Sequence, residues 1–302
     1  MDGLLIVDKP RGCTSHDVVL RVRSLLKLKR VGHGGTLDPD ATGVLLVALG
    51  QATRFFPYLS GQDKTYEGAI RLGFATDTYD ASGRPASEEK ADSPPVEAVV
   101  AAMRSLEGEI LQVPPPYSAK KIGGSRAYKL ARARKEFTLE PARVVVRSFV
   151  LRNYAPPLVE FEVACSSGTY VRSLAHDLGL KIGCGAHLHS LRRTSVGPYN
   201  VSEAVSVAGI EEALAGGRLT ELVVPLEQLL PASPALVLSS EATARVLHGS
   251  PLFPEHFVPP SGEALSRSDA AIFRVVSPSG SLLALARPSA GRDRLLPFLV
   301  VK

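Results

Sequence analysis

A carboxylate set in a glycine-rich loop is the most chemically suggestive feature of this 302-residue chain. In the run Gly32-His33-Gly34-Gly35-Thr36-Leu37-Asp38-Pro39-Asp40-Ala41-Thr42-Gly43, the glycines permit tight backbone turns and close approach of another molecule. Pro39 disfavours the helical region for the residue before it, so Asp38 is presented from an extended or turn backbone. The loop lacks the G-x-x-x-x-G-K-[ST] pattern and is therefore not a phosphate cradle of that kind. On local chemistry alone, a structural turn is the commoner role for such a run.

Cys184, His187 and His189 form a C-x-x-H-x-H run whose donors suit zinc. A closed zinc site needs four ligands, and no second matching pair accompanies the run. Cys13, Cys165 and Cys184 are odd in number and far apart, which points to a reducing compartment and away from a disulfide framework.

Charge supplies a third signal once it is located. The formal net charge is only +5, with a pI near 9.1. Between Tyr117 and Arg152, however, ten basic residues face only Glu136 and Glu140, a net of +8. Residues 1–30 add seven basic side chains against three aspartates, a net of +4, which leaves −7 for the remainder. Two basic stretches on a slightly acidic body suit a polyanionic partner. For one basic helix alone, a solvated face is an equally good account.

Several elements must position these groups. The composition, 45% hydrophobic and 22% charged, fits a folded soluble chain and excludes long disorder or collagen-like structure. At about 150 residues per domain, the length suggests two domains. Residues 4–7 predict a strand, and Thr14-x-x-Asp17 is a capping box opening a helix that carries Val18, Val19, Val22, Leu25 and Leu26. The apolar run 44–49 reads as strand or helix. Tyr66, Gly68, Ile70, Leu72 and Phe74 alternate as in a half-buried strand, so a core tyrosine is the plain reading of Tyr66. Ser93 is expected to cap an amphipathic helix through Leu106 that Gly108 closes. A short helix is expected over 127–133, and 144–150 and 159–165 read as paired strands. Thr169 is expected to cap a helix carrying Val171, Leu174, Ala175 and Leu178, and 188–196 reads as a further strand. Near 230 the character changes to short β-like runs between Pro, Gly and Ser turns, as in a small β-rich appendage. No apolar stretch approaches the ~18 residues of a membrane span. The apolar run near the N-terminus is short and flanked by acids, unlike a signal peptide. A cytoplasmic protein is expected.

Read as a whole, the Asp38 loop closely resembles the catalytic motif of the bacterial TruB family of tRNA pseudouridine synthases, which isomerise uridine 55 of the tRNA T-loop. The resemblance continues, in family order, through Leu5-Ile6-Val7-Asp8-Lys9-Pro10, Asp63-Lys64-Thr65-Tyr66 and Leu72-Gly73-Phe74-Ala75-Thr76-Asp77-Thr78. Further along it covers Ser166-Ser167-Gly168-Thr169-Tyr170-Val171-Arg172, Gly183-Cys184-Gly185-Ala186-His187-Leu188 and Leu191-Arg192-Arg193. Any one block is weak; the ordered set, spanning about residues 3–210, is strong.

This resemblance implies an α+β protein: a pseudouridine-synthase catalytic fold around a mixed, largely antiparallel sheet, with a small β-rich, PUA-like C-terminal domain. The expected division is 1–230 and 231–302, with a basic RNA-binding insertion at about 117–143. It implies that Asp38 is the nucleophile, a role that fits a reaction in which uracil leaves ribose through N1 and rejoins through C5 without redox change. A carboxylate kept ionised in a pocket favours a cationic partner, and Arg172 matches the family arginine that pairs with it. Tyr66 would stack on the target uracil and take part in removal of the C5 proton. Tyr170 and Leu191 would line the pocket, and His33 would fill the space left by flipped nucleotides. Lys9 matches a lysine near the site that either supports the pocket or touches RNA. Lys120, Lys121, Arg126 and Lys129 would contact the RNA backbone. The resemblance implies no cofactor, no metal and no guide RNA, with the tRNA T stem-loop as partner of a monomeric enzyme. The competing reading is a noncatalytic tRNA-binding or tRNA-folding protein on the same scaffold, against which the joint presence of Asp38, Tyr66 and Arg172 argues.

Overall fold

The computed structural model describes residues 1–90, 93–118, 120–133, 135–259, 261 and 268–301, without the side chains at 121, 122, 125, 126, 128 and 132. The first half of the chain runs β1 (Gly3–Lys9), α1 (Ser15–Leu26), β2 (Val31–Gly34), β3 (Thr42–Leu49), α2 (Phe56–Leu59), β4 (Lys64–Leu72), α3 (Val96–Arg104) and β5 (Gly108–Gln112). A small hairpin of β6 (Lys121–Ile122) and β7 (Ser125–Arg126) leads into α4 (Ala127–Arg132). Then come β8 (Ala142–Ala155), β9 (Leu158–Cys165), α5 (Val171–Ile182), β10 (Ala186–Val196), β11 (Tyr199–Asn200), α6 (Val207–Ala215) and β12 (Val223–Val224). The C-terminal part contains β13 (Ala235–Val237), α7 (Thr243–Leu247), β14 (Phe273–Val276), β15 (Leu282–Pro288) and β16 (Leu295–Val300).

The main sheet has the order β12-β1-β3-β10-β4-β9-β8-β5, with β2 added on β3 and β11 on β10. Its pairings are antiparallel except at the centre, where β3 and β10 run parallel through Arg192↔Thr42 and Arg193↔Gly43. The sheet is thus mixed and largely antiparallel, as expected. The ambiguous run in β3 is a strand covered on both faces, which removes the usual polar alternation. Val44, Leu46 and Ala48 join Leu4 and Ile6 of β1 on one face, while Leu45, Val47 and Leu49 join Leu5 and Val7 on the other. Helices α1 and α6 cover the second of these faces, through Val18, Val19, Val22 and Ile210. Farther along the sheet, α3 and α5 pack through Val99, Met103, Leu174 and Leu178 onto β4, β8, β9 and β10.

Two expected helix caps are not made. Helix α3 starts at Val96 behind Pro95, and α5 starts behind Tyr170, neither with a side-chain cap; Ser93 and Thr169 lie outside the cap positions. Gly108 (φ +88°) opens β5, so it marks the turn from helix to strand and not the last turn of α3. The Thr14–Asp17 capping box does form in both directions, at 3.1 and 2.8 Å. The strand read as 66–74 stops at Leu72, because Gly73 turns at φ +111°. The C-terminal part is a small β domain with a four-stranded sheet in sequence order, β13 pairing parallel and the rest antiparallel. Phe273, Val275, Ala284, Ala286 and Leu295 form its own core, and Val276, Leu282, Leu285 and Leu299 join Phe55 and Leu59 on the face of β1 and β3 opposite α1 and α6.

Candidate active site

The loop between β2 and β3 carries Asp38 just ahead of the N-terminal end of β3 and is pinned on both sides of it. Before Asp38, the hydroxyl of Ser15 in α1 donates to the Leu37 carbonyl (3.1 Å) and accepts from the Leu37 N–H (2.9 Å). After it, the Pro39 carbonyl accepts from the Lys9 ammonium (3.0 Å) and from the Gly12 N–H (2.9 Å). Leu37 and Ala41 are buried in the core beneath, so the loop has little freedom around the carboxylate.

Arg172, in the first turn of α5, meets that carboxylate with two nitrogens. Its Nε lies 2.9 Å from Oδ2 and its Nη2 3.1 Å from Oδ1, an arrangement that fixes both distance and plane. The guanidinium also reaches Asp80 Oδ2 (3.4 Å) and the carbonyls of Thr78 and Tyr117, both at 3.2 Å. The Arg172 side chain is 8% exposed while that of Asp38 keeps 43%, so the cation is enclosed and the carboxylate opens outward. The recess pushes the Asp38 carboxyl above its ordinary range; Arg172 opposes this, Asp80 adds to it and Lys9 opposes it more weakly. Burial and the neighbouring cations thus act on the same carboxylate in opposite senses, with burial the larger.

Tyr66, on β4, is buried in the same cluster as Leu37 and Ala41, against which Leu191 of β10 packs. Burial raises its phenol pKa, and the charge of Arg193, opposite it in the β10–β4 pairing, pulls the other way. Tyr170 precedes α5. The buried amide of Gln112 donates to its carbonyl (3.1 Å) and accepts from its N–H (2.8 Å), and burial raises the pKa of its phenol. Asp38, Tyr66, Arg172, Tyr170 and Leu191, predicted from four separate stretches of chain, thus converge. His33 lies on β2, half-buried, with its pKa lowered by burial and by His16 and Arg193. Lys9, expected among the substrate-binding residues, is fully buried on the carbonyls of Pro10 and Pro39. It has no face open to a ligand and instead holds the backbone behind Asp38.

Among the four basic residues assigned to RNA, Lys120 and Lys129 are exposed, and the side chains of Lys121 and Arg126 lie outside the described residues. The insertion is rooted in the site itself, since Arg172 donates to the carbonyl of Tyr117. In the suspected metal run, the His187 ring packs on Phe74 (centroids 4.7 Å apart), with Nδ1 3.1 Å from the Phe74 carbonyl. The Cys184 thiol faces the Gly185 carbonyl, and His189 is exposed. Among the described residues, no group of three or more His, Cys, Asp or Glu could hold a metal ion.

Sequence reasoning missed Asp80, Gln112, Ser15 and Arg193. Asp80 lies in a turn that also contains Asp77, and only the fold separates them: Asp77 accepts from the Arg84 N–H of its own turn, while Asp80 faces Arg172.

An enclosed arginine clasping an open aspartate over a buried tyrosine, on a mixed sheet, defines this as a pseudouridine synthase. Residues 23–171 match the model of the TruB family pseudouridylate synthase N-terminal domain, and residues 172–231 that of the tRNA pseudouridylate synthase B C-terminal domain. The chain belongs to the TruB family. The tRNA pseudouridine synthase B of Thermobifida fusca is 44% identical over 302 residues, covering 97% of each chain. That of Dehalococcoides mccartyi is 40% identical over 278 residues, covering 92% of this chain and 93% of the relative. A solved Cbf5-Nop10-Gar1 complex superposes with a TM-score of 0.75 at 26% identity, covering 99% of this chain and 84% of that one. An H/ACA RNP bound to a substrate RNA containing 2'-deoxyuridine gives 0.73 at 25% identity, with 99% and 84% covered. No helix among the described residues is long and apolar enough to cross a membrane.

Proposed function

We propose that this enzyme converts uridine 55 in the T stem-loop of tRNA to pseudouridine, with Asp38 as nucleophile. The reading is carried by the two-pronged contact of Arg172 with an outward-facing Asp38. It is supported by the relatives' shared name, which specifies tRNA. The reaction breaks the C1′–N1 bond, turns the uracil and forms a C1′–C5 bond; C5 gives up its proton and N1 takes one. The net change is an isomerisation with no oxidation or reduction: the bond to Asp38 forms and breaks within the cycle and one proton leaves C5 as one reaches N1, so nucleophilic and acid–base side chains suffice. In this reading Asp38 attacks the target nucleotide, Arg172 keeps its carboxylate aligned, and Tyr66 stacks on the uracil and takes part in removing the C5 proton. Tyr170 and Leu191 complete the pocket for a flipped base, and His33 occupies the gap in the stem-loop. The basic insertion at 117–143 grips phosphates through Lys120, Lys121, Arg126 and Lys129.

We read residues 1–230 as the catalytic domain and 231–302 as a PUA-like RNA-binding appendage. We read the enzyme as a cytoplasmic monomer; its need for no guide RNA is supported by identities of 40–44% to the bacterial relatives against 25–26% to the H/ACA-type structures. Release of tritium from C5-labelled uridine in a T-loop transcript tests the proposal. The wild-type chain should release it, and Asp38→Ala should not. No release by the wild type, or equal release by the variant, refutes the reading.

A further inference from the structure

The polarity of the chain is inverted where β5 ends. Leu111 and Val113 are exposed, while Gln112 between them is only 2% exposed. Ordinary alternation buries the apolar residues and leaves an amide in water, so Gln112 is inside for the sake of its hydrogen bonds. Its backbone is fixed on the sheet edge, opposite Ala142 of β8. Its side chain reaches the point where the chain enters α5. There Nε2 donates to the Tyr170 carbonyl (3.1 Å) and Oε1 accepts from the Tyr170 N–H (2.8 Å). The same carbonyl accepts from the Leu174 N–H (3.2 Å), the first rung of the helix. One amide therefore holds both backbone groups of the residue on which α5 is founded.

Two more bonds hold that turn from the same segment. The Ser173 hydroxyl donates to the Val113 carbonyl (2.7 Å), and Arg172 Nη2 donates to the Tyr117 carbonyl (3.2 Å). Helix α5 has no side-chain cap of its own, so residues 112–117 place its start, gripping it on both sides of Arg172. The placement has little slack. Arg172 meets the two oxygens of Asp38 at 2.9 and 3.1 Å, and a shift of the turn by about 0.5 Å takes the longer contact past ~3.5 Å, where it ceases to be a bond. We infer that Gln112 is a positioning residue for Arg172: by clamping the Tyr170 backbone it sets the height and rotation of α5 at which the guanidinium spans both oxygens of Asp38. The inference rests on the proposed roles of Asp38 and Arg172.

A slipped helix has an electrostatic consequence. The charged groups that face Asp38 are Arg172 from α5, Asp80 from the turn after β4 and Lys9 from β1, with the phenols of Tyr66 and Tyr170 in range. Burial and Asp80 raise its carboxyl pKa, and Arg172, the stronger of the two cations, and Lys9 lower it. Lys9 is held by the carbonyls of Pro10 and Pro39. Asp80 is held within its own turn by the hydroxyls of Thr78 (2.7 Å) and Ser82 (2.6 Å). Of the three charges, Arg172 is the one placed through Gln112. Loosening the clamp leaves burial and Asp80 in force and weakens the cation that opposes them.

The test uses the full chain carrying ¹³Cγ-aspartate, titrated by NMR without RNA, with Asp38→Asn identifying the Asp38 resonance. Gln112→Met keeps the bulk of the side chain and removes both bonds. It should raise the Asp38 midpoint by about half a unit or more, and should add almost nothing in the Arg172→Met background. An unmoved midpoint, or an equal rise in that background, overturns the inference. A merely structural role would lower the melting temperature and leave the midpoint where it was. Should Gln112→Met fail to fold, Gln112→Asn decides, since it keeps the amide and shortens its reach by one methylene: a raised midpoint supports the inference and a wild-type midpoint overturns it. On the T-loop transcript, Gln112→Met should slow single-turnover tritium release by about 10–100-fold while the Kd for RNA stays within about twofold. Release at the wild-type rate, or a loss confined to the Kd, overturns the inference. A wild type that releases none refutes the proposed reaction and leaves the titration result standing.

Discussion

Replacing Arg172 by methionine removes the cation that Asp38 and Asp80 share. Its Nε and Nη2 lie 2.9 and 3.1 Å from the two oxygens of Asp38, and its Nη1 lies 3.4 Å from Asp80. An opposite charge at such range lowers a carboxyl pKa by about 1–3 units. In the wild type, burial and Asp80 already hold Asp38 above the ordinary ~3.9 despite that pull. Without Arg172 only Lys9 opposes them, so Asp38 should climb by about a further 1–3 units. The reactive form is the anion, and activity is lost as pH falls through this pKa. The acid limb of the single-turnover rate profile, followed by tritium release from about pH 5 to 9, should therefore move up by the same amount. Asp80→Asn removes a like charge and should move that limb down, by about one unit or less. On the plateau above the limb, Arg172→Met should still be slower by roughly 100-fold. Two aligned charge-assisted bonds are gone, and a loss of ~2.7 kcal/mol of positioning corresponds to that factor. An unmoved or lowered limb in Arg172→Met, or a raised one in Asp80→Asn, refutes this electrostatic account.

Three further outcomes follow from other parts of the molecule. Burial pushes the Asp177 carboxyl up to about 6, with Lys181 only partly opposing it. A folded value above the unfolded ~3.9 means that stability is fullest below the unfolded pKa and is lost as pH rises through the folded one. Asp177→Asn should raise the stability at pH 8, by about 1–2 kcal/mol after allowance for its partial exposure and read as a higher Tm, but not at about pH 3.5; equal gains at both refute it. Gly43→Ala forces a side chain onto φ +98° and into the Arg193 backbone at 2.2 Å, and a thermal melt should report a loss of about 3 kcal/mol or more. A melt within a degree of wild type would mean that β3 and β10 can part without consequence. Lys120→Ser and Lys129→Ser should each flatten the slope of log binding against log salt by about 0.7–0.9, and an unchanged slope removes that lysine from the RNA path.

How much of this was legible in the sequence depends on whether the deciding contact is local. The Asp38 loop, the Thr14–Asp17 box and the alternation around Tyr66 each declare themselves within about ten residues. The run 44–49 did not, because a strand covered on both faces loses the period that separates strand from helix. Arg172 is 134 residues from Asp38, and only the ordered family motifs linked them; no periodicity does. The caps at Ser93 and Thr169 failed because Ser and Thr near a helix start are a preference, and here Pro95 and the Gln112 clamp on Tyr170 settle the chain's entry instead. The adjacent pair Arg192 and Arg193 makes the limit plain. Strand periodicity requires neighbours to point to opposite faces but does not say which faces water. In the fold, Arg192 reaches Asp8 at 2.7 and 3.1 Å, partly exposed, whereas Arg193 turns inward onto the carbonyls of Gly35 and Val44. In a charge count the two are equal. Only β10 lying between β3 and β4 makes one a rim ion pair and the other a buried brace across the two ends of Asp38's loop.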